Sequence, residues 1–355
     1  MKKILLSLVA VAAIAACTKS EVQYEPTSEI GFAPVAKFNT KAAVYDVTNT
    51  TDYPDDLPMY VFANAGLDGN DTNTKVDPAE CTEAYFANAE FVHGTHESDV
   101  FGGVTPYYWP NVKSLIFSGF SKSGNVATIV SSENKPSYTF NEETDKWEIS
   151  INGYEPGKGT DTEGDNDLMW FPTTGESYTK QSTAVPVTMQ HSCAWLTFNI
   201  KGDAFTSGNW KVLDVYLEGL YQKGNVKLST VATWSDLTNI VEPFVIYDDE
   251  ALKNETEEYG PAVLTADGED FTQKSFVDLV VVPQDARKLY ITYQYKSDPI
   301  NNIIIEETKD ITLTAPTITG WAAGYHYIYN IQIGTAEILV EPTAKEWLAE
   351  ILNIQ

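Results

Sequence analysis

The sequence is poor in arginine, histidine and cysteine, and it carries a large excess of negative charge. Its 355 residues include 23 basic residues, of which only Arg287 is an arginine, against 50 acidic ones, for a formal net charge of −27. A surface this acidic repels phosphate backbones, so nucleic acid is not expected as a partner. It also repels anionic lipid headgroups, so a membrane contact must come from a covalent anchor.

The four histidines give no sign of a metal site or of catalysis. His93 and His96 form an H-x-x-H pair, but no further ligand stands at a useful spacing beside them, so no metal and no cofactor are expected. Residues 161–167 form an acidic loop that lacks the EF-hand spacing, and we expect it to be solvated. His191 closes a strand-like run and is expected to be a hydrogen-bonded structural residue. No nucleophile elbow, H-E-x-x-H or phosphate loop occurs, so we do not expect an enzyme.

The N-terminus has the pattern of an export signal. Lys2 and Lys3 precede an apolar stretch, residues 4–16, that is too short to span a bilayer as a stable helix. The stretch ends in Ile14-Ala15-Ala16-Cys17, small residues before a cysteine, which looks like a lipobox. The pattern predicts a lipoprotein signal peptide over residues 1–16 and an acylated Cys17 that anchors the protein to a bacterial membrane.

Two cysteines remain for the folded part of the chain. Cys193 lies in a strand-like run and Cys81 in a polar loop. The bacterial envelope permits disulfides, so a bridge and two independent thiols are both open, and the dissimilar surroundings favour the thiols.

Alternating apolar residues predict an all-β fold. A period of two recurs in residues 194–200, 213–217, 289–295 and 325–333, as expected for strands with one buried face. Clusters of glycine and small polar residues separate these runs, and no helical pattern intervenes, which favours β-sandwiches.

The C-terminus and the domain division are less defined. Residues 344–354 place Trp347, Leu348, Ile351 and Leu352 at helical spacing, but a short C-terminal strand is equally compatible. We expect an N-terminal segment over residues 17–45, one domain over residues 46–183 and a second domain with its tail over residues 184–355.

Aromatic residues offer candidates for binding sugars. The run Tyr107-Tyr108-Trp109-Pro110 and Trp147 could form an exposed platform. In a β-sandwich most such residues pack in the core, and we favour that interpretation for these.

Several short motifs occur in a characteristic order. They are Pro106-Tyr107-Tyr108-Trp109-Pro110, Asp167-Leu168-Met169-Trp170, Val187-Thr188-Met189-Gln190-His191, Val281-Val282-Pro283-Gln284 and Gly320-Trp321-Ala322-Ala323-Gly324-Tyr325. With the lipobox before them, the series resembles the fimbrillin family, the type V pilins and their related surface lipoproteins. The resemblance implies two β-sandwich domains of transthyretin-like topology in tandem.

The resemblance also implies a route of assembly. Such pilins reach the surface of the outer membrane as lipoproteins, and a trypsin-like protease then removes the lipid together with the first strand. A strand from another subunit fills the groove that is left. Here Ile30 and Phe32 belong to a short alternating stretch, and Lys37 and Lys41 follow it as candidates for processing. Lys41-Ala42 stands where the family's cleavage site would be.

One departure from the family pattern bears on function. The best-understood members are cut after arginine, and none precedes Arg287 here. If a protease accepts lysine, the chain is expected to be a structural or accessory fimbrial subunit involved in adhesion, with the tail after Ile333 as a candidate donor strand. If the segment stays, we expect a lipid-anchored surface protein that binds glycans or host proteins without polymerising.

Overall fold

The computed structural model describes most of the chain after residue 28. The described residues are 29–36, 41–42, 45–46, 53, 55–67, 75–94, 100–111, 113–156, 167–202, 210–241, 243–248, 275–298, 303–315, 320–333 and 338–346. Cys17 and Lys37 lie outside them. Nearly all regular structure within these ranges is β, which confirms the predicted all-β class.

The first half of the described chain is built around a closed barrel. Its strands, numbered in chain order, are β1 (Gly31–Ala36), β4 (Met59–Leu67), β5 (Glu83–His93), β6 (Phe101–Gly103), β7 (Lys113–Ser121), β10 (Met169–Phe171) and β11 (Val185–His191). They pair in the order β1-β11-β10-β7-β4-β5-β6. Two short strands, β2 (Lys41–Ala42) and β3 (Tyr45–Asp46), pair with each other between β1 and β4.

Strand β7 is buried on both faces, because the barrel is covered on one side. Leu115 and Phe117 point into the barrel core. Phe120 points outward, into a second core shared with Ile149 and Val226. A central strand covered on both faces has no solvent-facing side, and accordingly all residues of the segment Ser114–Ser121 are buried, its serines included.

The cover is a four-stranded sheet of residues far apart in the sequence. Its strands are β8 (Ser137–Asn141), β9 (Lys146–Tyr154), β14 (Leu220–Leu228) and β15 (Ala232–Val241), and a short helix, α1 (Val126–Ser131), packs beside it. The sheet order is β15-β14-β9-β8, so strands from both sides of residue 183 share one sheet. Strand β11, after residue 183, lies in the barrel. The division into domains at residue 183 stays a prediction.

The C-terminal half contains two further four-stranded sheets that share one core. One has the order β17-β12-β20-β21 and the other β16-β13-β18-β19. Their ranges are β12 (Ala194–Gly202), β13 (Trp210–Glu218), β16 (Phe244–Asp248), β17 (Ser275–Val281), β18 (Lys288–Asp298), β19 (Ile303–Thr312), β20 (Tyr325–Ile333) and β21 (Ile338–Glu346). In this core the indole of Trp321 donates a hydrogen bond of 2.7 Å to the hydroxyl of Tyr329, so both polar atoms are satisfied where water is excluded.

The structure decides two of the open alternatives. Cys81 and Cys193 are free, buried thiols, which confirms the favoured interpretation. Burial raises the pKa of Cys81 to about 11 and raises that of Cys193 as well. At the C-terminus, residues 344–346 belong to β21, so a helix that begins at Ala344 is wrong. Trp347 and the residues after it lie outside the described part of the chain.

Gly119 of β7 is required by a close approach of two chain segments. A Cβ at this position would lie 2.5 Å from the Phe171 ring and 2.8 Å from the carbonyl oxygen of Tyr60, a backbone atom that cannot rotate away. We predict that Gly119→Ala lowers the free energy of unfolding by about 1–3 kcal/mol in chemical denaturation. The matched control is Gly175→Ala, because a Cβ there meets nothing within 4 Å; a change of less than about 0.5 kcal/mol is expected. Equal losses in both variants would contradict the packing argument.

Candidate functional site: the groove that holds the first strand

The predicted first strand is present and closes the barrel. Strand β1 pairs in parallel with β11 over five positions, from Phe32 opposite Val185 to Ala36 opposite Met189. On its other side it pairs antiparallel with β6 at two positions only, Gly31 opposite Gly102 and Phe32 opposite Phe101. A strand so placed is the only link between β11 and β6 in the described sheet order, so the barrel opens if β1 leaves.

The side chains of β1 fill the middle of the barrel. Ile30 and Phe32 are completely buried. The ring of Phe32 lies edge-to-face against Phe91 and Phe117, with ring centroids 4.9 and 5.1 Å away, and its centroid is 6.1 Å from that of Phe171. Edge-to-face aromatic pairs add to the hydrophobic gain of burial, so Phe32 is the strongest anchor of the strand.

The start of β1 is fixed by further contacts. The amide of Ile30 donates a hydrogen bond of 2.8 Å to the carbonyl of Tyr107. The carboxylate of Glu29 accepts a hydrogen bond from the Tyr108 hydroxyl, and this bond raises the pKa of Tyr108. A Cβ on Gly31 would lie 2.6 Å from a methyl carbon of Val100, so a side chain there would need Val100 to move. The groove therefore fixes the register of the strand as well as its position.

The candidate processing residue Lys41 comes after β1 and is separated from its last residue, Ala36, by residues 37–40. It lies in β2, opposite Asp46 of β3, after the strand has left the barrel. The next core residues in the described part of the chain are Tyr53 and Leu57, before β4. A cut between Lys41 and Ala42 would thus separate β1 from every other strand of the barrel. The second candidate, Lys37, and the lipidation candidate, Cys17, lie outside the described residues.

The chain's C-terminal segment pairs with its own domain. Strand β21 runs antiparallel to β20 over nine positions, from Ile333 opposite Ile338 to Tyr325 opposite Glu346. It forms the edge of its sheet, and Val340 and Ala344 pack against the C-terminal core. The candidate donor segment is therefore folded back in this structure, as far as residue 346.

The histidines have structural partners. His93 lies 3.3 Å from a carboxylate oxygen of Asp55, and His96 is outside the described residues. The ring of His326 stacks on Trp195 with centroids 3.3 Å apart and contacts the hydroxyl of Thr197 at 2.9 Å. In the part of the chain that the structure describes, no three acidic, histidine or cysteine residues come together as metal ligands. Nor does a helix in that part have the length and apolar character to cross a membrane.

One buried polar cluster was missed by sequence reasoning. Asp167 was expected to be solvated with the acidic loop, and this is wrong: its side chain is 5% exposed and hydrogen-bonds to the equally buried His191. Beside this pair, the hydroxyl of Ser121 accepts a hydrogen bond of 2.9 Å from the amide of Met169. The one local signal for its burial was the apolar run that starts at Leu168, directly after Asp167.

The aromatic candidates for sugar binding do not form an exposed row. Trp109 and Trp147 are 2% and 8% exposed, and Tyr107 packs on Phe86 with ring centroids 4.4 Å apart. Tyr108 is exposed beside Tyr85, whose hydroxyl donates a hydrogen bond of 2.6 Å to the Tyr108 carbonyl, but neither tryptophan extends this pair. The expectation that most of these residues pack in the core is confirmed.

Comparison with known proteins agrees with this architecture. A family model described as fimbrillin-like matches residues 33–347. The fold is similar to that of a fimbrial protein from Bacteroides vulgatus, with a TM-score of 0.53 and 16% identity over 89% of this chain and 99% of that chain. It is also similar to a protein from Bacteroides uniformis named for cell adhesion, with a TM-score of 0.50 and 15% identity over 90% of this chain and 99% of that one. No curated protein sequence matches the chain.

The packing of Phe32 among three aromatic rings should contribute much of the stability of the barrel. We predict that Phe32→Ala lowers the free energy of unfolding by about 3–5 kcal/mol, because it leaves a cavity among Phe91, Phe117 and Phe171. Val104→Ala, at a 59% exposed position just after β6, is the control and should change stability by less than about 0.5 kcal/mol. A loss below about 1 kcal/mol for Phe32→Ala in denaturant unfolding would mean that β1 is only loosely seated.

Proposed function

The chain belongs to the fimbrillin-like family, and we propose that it is a structural or accessory subunit of a fimbria on a bacterial surface, where it takes part in adhesion and assembles by strand exchange. The observation that carries the proposal is the position of β1. It is the strand nearest the N-terminus in the described barrel, it fills the middle of the barrel core, and it precedes Lys41, the candidate processing residue.

Release of β1 would create an acceptor for another strand. The amide and carbonyl groups of β11 that now bond to β1 would lose their partners, and so would those of β6. The pocket of Phe32 would open between Phe91 and Phe117. Burying one large apolar side chain contributes about 1.5–3 kcal/mol, so an incoming strand with a matching anchor restores both the hydrogen bonds and the core.

Lipidation and proteolysis set the order of events in this proposal. The acyl chains on Cys17 hold the protein at the outer membrane, exposed on the cell surface, while β1 keeps the groove filled. Cleavage after Lys41, or after Lys37, then removes the anchor and the strand together. The partners are other fimbrillin subunits through strand donation, and a glycan or host protein as the adhesion ligand. The protease must accept lysine.

A second candidate function is supported by β21. Its nine-position pairing with β20 keeps residues 338–346 within their own domain, so these residues are not free to fill a neighbour's groove. A chain that also keeps β1 would be a lipid-anchored surface protein that binds glycans or host ligands without polymerising.

The N-terminus of the protein recovered from its native cell surface distinguishes the two functions. Intact mass and terminal sequencing should give a start at Ala42, or at Phe38, in sheared fimbriae. If the native start is Ala42, Lys41→Gln should abolish it and keep the protein with the membrane fraction; if it is Phe38, Lys37→Gln should do so instead. Lys37→Gln is the matched control for a lost lysine, and it should leave an Ala42 start unchanged. An acylated Cys17 on all recovered molecules would reject strand exchange in favour of the anchored binding protein.

A further inference from the structure

A cavity of about 230 Å³ lies where loops of the barrel meet the covering sheet and four separate chain segments come together. Strands β8 and β9 supply Phe140 and Trp147. The other walls come from the short 3-10 helix Pro78–Glu80, the loop after β10 with Pro172, and the turn between β14 and β15 with Thr230.

The walls of the cavity are held rigidly. The indole of Trp147 donates a hydrogen bond of 3.2 Å to the carbonyl of Pro78, and its own carbonyl accepts one of 3.3 Å from the hydroxyl of Ser229. Tyr138 stacks on Trp147 with ring centroids 4.8 Å apart and shares a hydrogen bond of 2.9 Å with Thr173. A ligand that enters such a site does not have to order it first, which reduces the entropic cost of binding.

The lining combines flat apolar surfaces with short hydroxyls. Phe140 and two prolines present apolar surface, to which the largely buried Trp147 adds little, and Thr173, Thr174, Ser229 and Thr230 also line the cavity. At the mouth, Asp145 and Lys146 bring opposite charges side by side, and the Lys146 ammonium donates a hydrogen bond of 3.4 Å to Thr230. Apolar faces with a few fixed polar groups are typical of small-molecule sites.

We propose that this cavity binds one sugar residue of a neutral glycan. The C–H faces of a pyranose ring match the apolar walls, and its hydroxyls match the hydroxyl and charged groups at the mouth. The lining carries Asp77 and Asp145 against Lys146, a net negative charge, and the chain as a whole carries −27, so an anionic sugar is disfavoured. The inference rests on the adhesive part of the proposed function, since it names the class of ligand.

The backbone conformation at Asp145 also bears on the cavity. Asp145 has a positive φ of 55°, a conformation that non-glycine residues adopt rarely and that asparagine and aspartate tolerate best. This turn places a charged side chain at the mouth of the cavity. Asp145→Asn therefore removes the charge while it keeps a residue suited to the turn.

Two variants at the cavity and one control test the proposal. Phe140→Ala removes an apolar wall that is carried by the edge strand β8, and Asp145→Asn removes the charged acceptor. Ile240→Ala is the matched control, because it deletes a large apolar side chain that is 51% exposed and does not line the cavity. Unfolding curves should show that each variant is folded. If one cavity variant does not fold, the other still tests the proposal.

The measurement is saturation-transfer NMR on the purified protein with mannose, galactose, fucose, N-acetylglucosamine and N-acetylgalactosamine, and with N-acetylneuraminic acid as the anionic probe. We expect transfer to at least one neutral sugar at a concentration of about 10 mM, a range suited to weak single-residue binding. Phe140→Ala should weaken it about tenfold, Asp145→Asn should also weaken it, and Ile240→Ala should not.

Three results would overturn the proposal: no transfer to any neutral sugar, transfer that persists equally in both cavity variants, or preference for N-acetylneuraminic acid. The purified protein does not need to polymerise in this experiment. A failure here therefore leaves the test of strand exchange, which depends on the native N-terminus, unaffected.

Discussion

The packing of Phe32 among Phe91, Phe117 and Phe171 is the interaction on which the barrel depends. Strand β1 reaches the centre of the core through this one ring, and its backbone joins β11 to β6, which have no other link in the described sheet order. The residue that anchors the strand thus belongs to the segment that the proposed cleavage removes. A core completed by a removable strand is stable while the strand stays, and it has an open edge and an empty aromatic pocket once the strand leaves.

The two proposed activities lie in different parts of the molecule. Assembly uses the groove between β11 and β6, whereas the proposed sugar cavity lies where the loops after β4 and β10 meet β8, β9 and the turn after β14. The indole of Trp147 bonds to the carbonyl of Pro78, so the cavity wall is tied to the barrel side without contact to β1. Exchange of the strand would leave this wall in place, and a subunit could bind sugar both before and after assembly.

Local sequence patterns predicted the features that depend on neighbouring residues, and missed those that depend on distant ones. Alternation predicted the all-β class, and the short Ile30–Phe32 stretch predicted the first strand. Nothing local indicated that β1 pairs in parallel with β11, some 150 residues later, or that β9 and β14 share a sheet across residue 183. The burial of Asp167 with His191 has the same origin. At the C-terminus the apolar spacing suited a helix and a strand alike, and pairing with β20 decides for a strand over residues 338–346.

The central claim is that the groove recognises β1 chiefly through Phe32, and strand replacement measures this most directly. A specific protease site placed in residues 37–40 would allow the folded protein to be cut there, and a labelled peptide of residues 29–36 would then be added in excess. We predict that the peptide replaces β1, which raises the fluorescence anisotropy of its label, whereas a peptide with Phe32→Ala does not. Equal incorporation of both peptides would contradict the account, as would loss of β1 without a change in the melting temperature of the barrel.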